Sequence, residues 1–215
     1  MDITWYGHSC FRLRDRNVTI VTDPYGPGIG YTLPKLRADI VTVSHTHADH
    51  SFVSGVKGNP RVLSVPGEYE IAGVFITGIP TYHDKKKGAE RGKNTAFLLE
   101  FDGLSVCHLG DLGHVPTQSQ VEALSQIQVD VLLVPVGGES TINAAQAAEV
   151  VSLLEPRIVV PMHYKTQALT VKLASVNKFL KAMGLSKLPE QDGLKITSSN
   201  LPEETQVVLL SYKQA

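Results

Sequence analysis

The stretch that decides the fold is His45-Thr46-His47-Ala48-Asp49-His50, which places four potential metal ligands within six residues. It follows residues 40–44, an apolar and β-branched run that is typical of a buried strand. A strand that ends in such a cluster brings its ligands to one point at its carboxyl end. In open α/β sheets that edge is where ligands bind and chemistry takes place. The stretch therefore predicts a metal site at the end of a strand.

The spacing of these ligands indicates how they could share metal ions. In an extended chain, side chains two residues apart point the same way, so His45 and His47 can bind one cation together. The chain then turns, and Asp49 and His50 can face a second position nearby. Imidazole and carboxylate suit zinc, manganese or iron, and the lack of a thiolate argues against a closed structural zinc site. The alternative is a polar loop that happens to contain three of the chain's eight histidines.

The composition is typical of a globular protein with one core. The chain has 215 residues, of which 42% are hydrophobic and 19% are charged. This length supports a sizeable core without requiring a second domain, so we expect a single domain over residues 1–215. The formal net charge of −1 gives no general attraction to nucleic acid or to an anionic membrane.

No segment of the chain has the pattern of a membrane span or of a targeting signal. Apolar runs stay below the ~18 residues that a span requires, and residues 1–5 lack the basic and apolar regions of a signal peptide. We therefore expect a cytoplasmic protein without a membrane partner. In that compartment Cys10 and Cys107 are expected to be reduced, buried thiols.

The remaining elements indicate a mixed α/β protein, because strands outnumber helices and alternate with them in the second half. Residues 95–101 and 104–108 predict a hairpin through a two-residue Asp-Gly turn. Helices are expected to begin at Thr117 with a capping box, and to cover residues 144–154 and 170–183.

The order of the remaining histidines and acids resembles the metallo-β-lactamase fold superfamily. In that family a His-x-His-x-Asp-His motif is followed by a third histidine, by an acid in a Gly-Asp context, and by a final histidine, each at a strand end. This chain offers His83, Asp111 and His163 in that order. The resemblance covers nearly the whole chain. It implies a four-layer αββα sandwich, with two sheets face to face, helices outside and the metal along one edge.

The resemblance also implies a site for two metal ions. One ion would be held by His45, His47 and His83, the other by Asp49, His50 and His163, and Asp111 would bridge both. Asp49 would have a catalytic role as well, since it would orient the nucleophile. Asp23 would support the metal loop through hydrogen bonds without binding metal itself. The expected cofactors are two divalent cations, zinc in the first place and manganese or iron as alternatives. Such a pair lowers the pKa of a shared water from 15.7 toward roughly 7.

Three further residues are candidates for substrate contact. His8 lies in a Gly-His-Ser element that resembles the ascorbate-phosphate lactonase-like branch, although a structural role for this histidine is an equal alternative. Glu139 lies in a Gly-Gly turn whose backbone N–H groups could face an anion. Lys165 follows His163 closely. Residues 84–94 carry five basic and two acidic side chains, which indicates either a solvated mobile loop or a clamp for an anionic substrate.

These features predict a metal-dependent hydrolase that uses a metal-bound hydroxide on a small anionic molecule. The bond could belong to a lactone, another ester, an amide or a phosphodiester. The alternatives are an iron-dependent redox protein and a small RNA-processing nuclease of the same fold. The iron branch tends to replace a ligating histidine with an acid, which is not seen here. A nucleic-acid partner is not expected from the near-neutral charge, and homo-oligomer formation is left open.

Overall fold

The computed structural model describes residues 1–215 and consists mainly of short strands. In chain order the strands are β1 (Asp2–Trp5), β2 (Phe11–Asp15), β3 (Val18–Thr22), β4 (Leu36–Arg37), β5 (Ile40–Thr42), β6 (Val56–Lys57), β7 (Arg61–Leu63), β8 (Gly67–Ile71), β9 (Val74–Tyr82), β10 (Lys93–Phe101), β11 (Leu104–His108), β12 (Val131–Pro135), β13 (Ile158–Met162), β14 (Glu190–Gln191), β15 (Leu194–Lys195), β16 (Gln206–Val207) and β17 (Leu209–Leu210). The helices are α1 (Gln118–Leu124), α2 (Ala144–Leu154) and α3 (Val176–Ala182), with a 3-10 turn at Val53–Gly55.

Two mixed sheets contain most of these strands. The first has the order β15-β1-β2-β3-β5-β7, and the second has the order β16-β13-β12-β11-β10-β9-β8. In the first sheet β3, β5 and β7 run parallel, and in the second β11, β12 and β13 do so. The predicted hairpin is confirmed, because β10 and β11 pair antiparallel with Phe101 opposite Leu104. Carboxyl ends of several strands are thereby brought to one edge of the molecule.

The main core lies between the two sheets. Alternation along β2 turns Phe11 and Leu13 inward, where both are fully buried, because side chains of successive strand residues point to opposite faces. From the second sheet Phe97 and Leu99 enter the same cluster. The predicted arrangement of two facing sheets in a mixed fold is therefore confirmed.

The outer layers of the two sheets differ. Helices α1 and α2 pack on strands of the second sheet, and α3 packs on α2. The outer face of the first sheet is covered by loops, since Val21 and Val41 from its strands cluster with Tyr25, Tyr31 and Leu169 from two loop segments. The layer that the resemblance assigns to helices is built from irregular chain on this side.

Two of the three predicted helices are confirmed, and the third is shorter than predicted. The capping box of Thr117 is present at α1, and α2 covers residues 144–154 after the N-cap Asn143. The prediction of a helix from residue 170 is wrong, because α3 begins only at Val176. The N–H groups of Thr170 and Ala174 donate to the distant carbonyls of Ile29 and Gly137 and so are not available for helical bonds.

Two predictions about the chain as a whole can be compared with this structure. Cys10 and Cys107 are both buried and unpaired, as predicted, and burial raises the pKa of the Cys107 thiol to about 12. No helix combines the length and the apolar character that a membrane crossing requires.

Candidate metal centre

Four strand ends meet at one edge and deliver the predicted ligands. Residues 43–50 follow β5, His83 follows β9, Asp111 lies three residues after β11, and His163 follows β13. A backbone hydrogen bond joins the segment after β11 to the end of β9, because the Gly113 N–H donates to the Tyr82 carbonyl at 2.9 Å. The side chains that the sequence places at four separate positions therefore converge on one site.

Asp111 occupies the middle of this site. Its Oδ2 lies 3.2 Å from Nε2 of His163, and 3.4 Å from Nε2 of both His50 and His83. The side chain is buried, and its backbone N–H donates to Oδ1 of Asn94 at 2.9 Å. A carboxylate that faces three imidazoles from three different strand ends has the geometry expected of a shared ligand.

The conformation before Asp111 depends on a glycine. Gly110 has a φ of +57°, and a Cβ at this position would meet Ser44 Cβ at 2.4 Å and Asn94 Oδ1 at 2.6 Å. The close approach leaves no room for a side chain, and the left-handed backbone favours glycine. This is the physical reason for the Gly-Asp context of the ligand.

His45, His47 and His83 form one compact group beside Asp111. Their ligand nitrogens all lie within 4.8 Å of one another, and the ring centroids of His45 and His83 are 4.6 Å apart. His45 and His83 are buried, whereas His47 is exposed. The structure thus brings together the three residues that the resemblance assigns to one cation.

His50 and His163 form a second group, which also contains His8. The ligand atoms of these three histidines lie within 4.8 Å of one another. Asp49, the predicted ligand of this half, lies nearer the surface: its side chain is 33% exposed, and its Oδ2 is 3.9 Å from His50 Nε2. The same oxygen is 3.2 Å from His8 Nε2. His8 therefore lies among the potential ligands, whereas the sequence left it open between a pocket-lining and a structural role.

The backbone holds His8 in place against the second sheet. His8 has a left-handed φ of 52° and is 1% exposed. Its carbonyl accepts a hydrogen bond from the His163 N–H at 3.1 Å and another from Trp5 Nε1 at 3.1 Å. The turn after β1 is thereby fixed to the end of β13.

Asp23 lies behind the ligands, as the resemblance implied. Its Oδ1 accepts from the Ser44 N–H at 2.7 Å, and its Oδ2 lies 2.6 Å from Ser44 Oγ and 3.0 Å from His50 Nδ1. Ser44 Oγ in turn lies 2.9 Å from His45 Nδ1. With Nδ1 of His50 bound to Asp23, its Nε2 points toward Asp111, and such partners orient a ligating imidazole.

Burial and neighbouring charges shift the pKa values of the histidines in this site. Burial, together with the neighbouring imidazoles, lowers the pKa of His45 to about 3 and that of His8 to about 4, so both rings are neutral at pH 7. His50 differs: its pKa is raised well above the usual value, because Asp111 and Asp23 outweigh the effect of burial. A cation bound at His50 Nε2 would have to displace the proton that these carboxylates favour.

The donor set fits a divalent metal. His45 Nε2, His50 Nε2 and Asp111 Oδ1 are buried without a hydrogen-bond partner. Buried polar atoms are nearly always partnered, since leaving one unpaired costs free energy. Imidazole and carboxylate donors in this number, without thiolate, suit zinc, manganese or iron. These three residues would be among those that hold such an ion.

A polar cavity of about 350 Å³ adjoins the cluster at His83. Residues 83–91 form one wall and residues 138–146 the other, and Glu139 is among the lining residues. Arg91 connects the two walls, because its guanidinium donates to the Glu139 carbonyl at 3.1 Å. Lys165 does not line this cavity, since its ammonium donates to the carbonyl of Leu169.

The basic segment 84–94 is folded around an internal carboxylate. Asp84 accepts hydrogen bonds from the backbone N–H groups of Lys86, Gly88, Glu90 and Arg91, at 2.7 to 2.9 Å. These donors outweigh desolvation and lower the pKa of Asp84 to about 2. This internal support argues against the interpretation of the segment as a mobile loop.

Comparison with known proteins agrees with this geometry. The family model of the beta-lactamase superfamily domain matches residues 2–163. A UPF0173 protein of Pyrococcus abyssi is 31% identical over 189 residues, which cover 77% of this chain and 84% of that protein. A UPF0173 metal-dependent hydrolase of Methanoculleus marisnigri is 32% identical, with 77% and 82% covered.

A solved structure is similar over the full length. It is the crystal structure of a Thermotoga maritima protein assigned to the zinc-dependent hydrolases of the metallo-β-lactamase superfamily. It has a TM-score of 0.81 and 43% sequence identity, and the alignment covers 99% of both chains. The ligand order, the facing sheets and these relatives lead to one conclusion: the chain belongs to the metallo-β-lactamase superfamily.

Proposed function

We propose that this protein is a metal-dependent hydrolase of small, polar, anionic molecules. The observation that carries the proposal is the position of Asp111, whose Oδ2 lies within 3.4 Å of three histidines from separate segments. Relatives from Pyrococcus abyssi and Methanoculleus marisnigri are named metal-dependent hydrolases, and the similar Thermotoga maritima structure is assigned to zinc-dependent hydrolases.

The ligands divide into two sets around Asp111, which supports a dinuclear site. The first set is His45, His47 and His83, and the second is His50 and His163 with Asp49 at its outer side. When bound, two divalent cations, zinc in the first place and manganese or iron as alternatives, would supply a hydroxide nucleophile at neutral pH and polarise the scissile bond.

Asp49 would handle the proton in this proposal. It is the most exposed carboxylate of the cluster, and its Oδ2 is held by His8 Nε2 at 3.2 Å. Against the effect of desolvation, this hydrogen bond lowers the pKa of Asp49, so the group is ionised at neutral pH. An ionised carboxylate at the edge of the site can accept a proton from an attacking water and pass it to the leaving group.

The adjoining cavity supports a small polar substrate. No hydrophobic residue lines it, and its volume of about 350 Å³ lies at the lower end of ligand sites. Its lining contains three basic and three acidic side chains. Two of the acids are already engaged, Asp84 by four backbone N–H groups and Glu90 by Lys86. Lys85 and Arg91 would therefore hold an anionic group beside His83. A lactone, another ester, an amide or a phosphodiester would fit this description.

The test combines metal analysis with a substrate panel. Purified protein is expected to retain up to two equivalents of zinc, manganese or iron by elemental analysis, and to cleave at least one compound of a lactone, ester, amide and phosphodiester panel. Removal of metal by a chelator should abolish the cleavage, and metal addition should restore it. Protein that retained no metal, or cleavage that was insensitive to chelation, would contradict the proposal.

The same experiment separates the alternatives. Bound iron with a visible absorption band and consumption of oxygen would favour a redox protein of this fold. Cleavage of RNA alone among the panel would favour a nuclease.

A further inference from the structure

A second charged site lies at the opposite end of the first sheet. A cavity of about 480 Å³ is lined by ten residues, of which five are basic and only Asp39 is acidic. The basic residues are Arg12, Arg14, Arg16, Lys35 and Arg37. The whole chain has a net charge of −1, so this concentration of positive charge is local. We call these residues the arginine groove.

The positive charges of the arginine groove are largely uncompensated. The salt bridges formed by lysine and arginine side chains in this structure are Arg16–Asp102, Lys86–Glu90 and Lys213–Asp192. Arg12, Arg14, Lys35 and Arg37 take part in none of them. The single acid, Asp39, already accepts a hydrogen bond from the Thr19 N–H at 2.8 Å. Four like charges that share one cavity repel one another unless an anion lies between them.

Strand geometry brings these side chains together. Arg12 and Arg14 are two residues apart on β2, so they leave the same outer face of the first sheet, opposite to the buried Phe11 and Leu13. Lys35 and Arg37 approach from the segment that leads into β5, with the buried Leu36 between them and the buried Ala38 after Arg37. The groove thus has basic sides and an apolar base.

Arg12 contacts two neighbouring side chains. Its guanidinium lies 5.9 Å from the centroid of the Tyr6 ring, and its Nη2 is 3.5 Å from Thr4 Oγ1. Its Nε is buried and has no hydrogen-bond partner. The salt bridges of the structure give its guanidinium no acidic partner either, so the charge of Arg12 is uncompensated.

We propose that the arginine groove binds a small molecule with two or more phosphate groups. Guanidinium groups bind phosphate oxygens through paired, parallel hydrogen bonds, and four of the five basic side chains here are arginines. The volume of about 480 Å³ suits a small molecule. A long polyanion such as RNA fits less well, because the neighbouring cavity that shares Arg12 and Arg14 also contains Asp2 and Asp192.

This site is separate from the candidate metal centre. β3 and β5 run parallel, and the metal ligands follow their carboxyl ends, whereas the groove lies around their amino ends at Thr19 and Asp39. Along β3, Thr19 of the groove lies about 13 Å from Asp23, which contacts His50, at roughly 3.3 Å per residue. The inference does not depend on the proposed hydrolase activity.

The test is calorimetric titration of the metal-loaded protein with inorganic pyrophosphate and tripolyphosphate at low ionic strength. Both are expected to bind more tightly than monophosphate. The double variant Arg14→Gln/Arg37→Gln should bind roughly 10- to 100-fold more weakly, since each lost charged contact is worth about a factor of ten. Both side chains are exposed, so the variant is expected to fold. A second double variant, Lys35→Gln/Arg37→Gln, should weaken binding as well.

A matched variant locates the binding. Lys178→Gln/Lys181→Gln on α3 removes the same charge from a distant exposed surface and should leave the affinity unchanged. Metal content is measured before and after titration, because polyphosphates also bind metal ions. Unchanged affinity in Arg14→Gln/Arg37→Gln, absence of binding by either polyphosphate, or tighter binding of a single-stranded oligonucleotide would overturn the proposal.

Discussion

The Asp111 carboxylate is buried and faces three imidazoles, so its charge has to be balanced within the site. Substitution Asp111→Asn keeps the shape and removes the charge. We expect the variant to lose at least one equivalent of metal and to lose activity by roughly 100-fold or more, because even residues behind the ligands contribute 10- to 100-fold. Elemental analysis and steady-state kinetics measure both effects. An Asn variant with full metal content would contradict the central role of Asp111.

Asp23 contacts the ligand His50 but is not expected to bind metal itself. In Asp23→Asn an amide replaces the carboxylate that His50 Nδ1 and Ser44 contact. We expect metal affinity to fall by roughly 10- to 100-fold, since the orientation of His50 is no longer fixed. Competition with a chelator of known affinity measures the change. Asp102→Asn, an exposed acid, is the control, and equal affinities in the two variants would refute the supporting role.

His8 shows the limit of sequence reasoning for a single residue. The motif around residues 45–50 could be identified because its ligands are adjacent in the chain. The position of His8 depends instead on a bond between its carbonyl and the His163 N–H, which joins residues 155 positions apart. No local pattern carries that information, so the sequence left its role open between structure and substrate contact.

The turn between β11 and Asp111 gives a prediction at the level of an element. Gly110→Ala places a Cβ within 2.4 Å of Ser44 Cβ at a positive φ. We expect the free energy of unfolding to fall by about 2 kcal/mol or more, from the backbone conformation and the overlap together. Urea denaturation measures this loss.

Gly73 offers a matched comparison for that variant. It also has a positive φ, of +78°, but a Cβ there would meet nothing within 4 Å. Gly73→Ala should therefore show the conformational cost alone, about 1 kcal/mol. Equal losses in the two variants would show that the contact with Ser44 has no effect.

The basic segment gives a second prediction for an element. Asp84→Ala removes the acceptor of four backbone N–H groups, so the segment should open. Amide hydrogen exchange at Lys86, Gly88 and Arg91 is expected to become faster, and trypsin should cleave the segment more readily. Glu90→Gln, which removes only the exposed pair with Lys86, should change neither. Unchanged protection in Asp84→Ala would show that other contacts hold the segment.

Elements whose turn or capping residues lie in the adjacent sequence were predicted correctly. Elements whose ends are fixed by distant hydrogen bonds were not. The β10–β11 hairpin and the capped helices α1 and α2 have their turn and capping residues in the adjacent sequence. The apolar spacing of residues 170–183 also suits a helix. Tertiary hydrogen bonds from Thr170 and Ala174 replace its first turn, and such bonds cannot be read from periodicity.

Metal binding should stabilise the whole molecule. Cations that bind the folded state and not the unfolded one add about 2.7 kcal/mol at 100 times the dissociation constant. For a chain of this size we expect the melting temperature to fall by roughly 5–10 °C on chelation. Scanning calorimetry with and without chelator measures it. Asp111→Asn should show a much smaller shift, and an unchanged melting temperature in the native protein would contradict the prediction.

Only those layers of the architecture that the family resemblance implies could be predicted. The family resemblance, which rests on the order of histidines and acids, implied two facing sheets with a metal edge, whereas the loop cover of the first sheet has no sequence pattern of its own. We propose that residues 1–215 form one domain, because strands of both sheets share one apolar core. The cytoplasmic location and the oligomeric state stay predictions.

Trp5 is the only tryptophan of the chain, and it is 1% exposed. Its indole N–H is bonded to the carbonyl of His8, which also accepts the His163 N–H. The molecule therefore contains an intrinsic optical reporter next to its metal edge. Its emission will be quenched when a paramagnetic ion such as manganese occupies the neighbouring histidines, so occupancy can be followed in real time without a label.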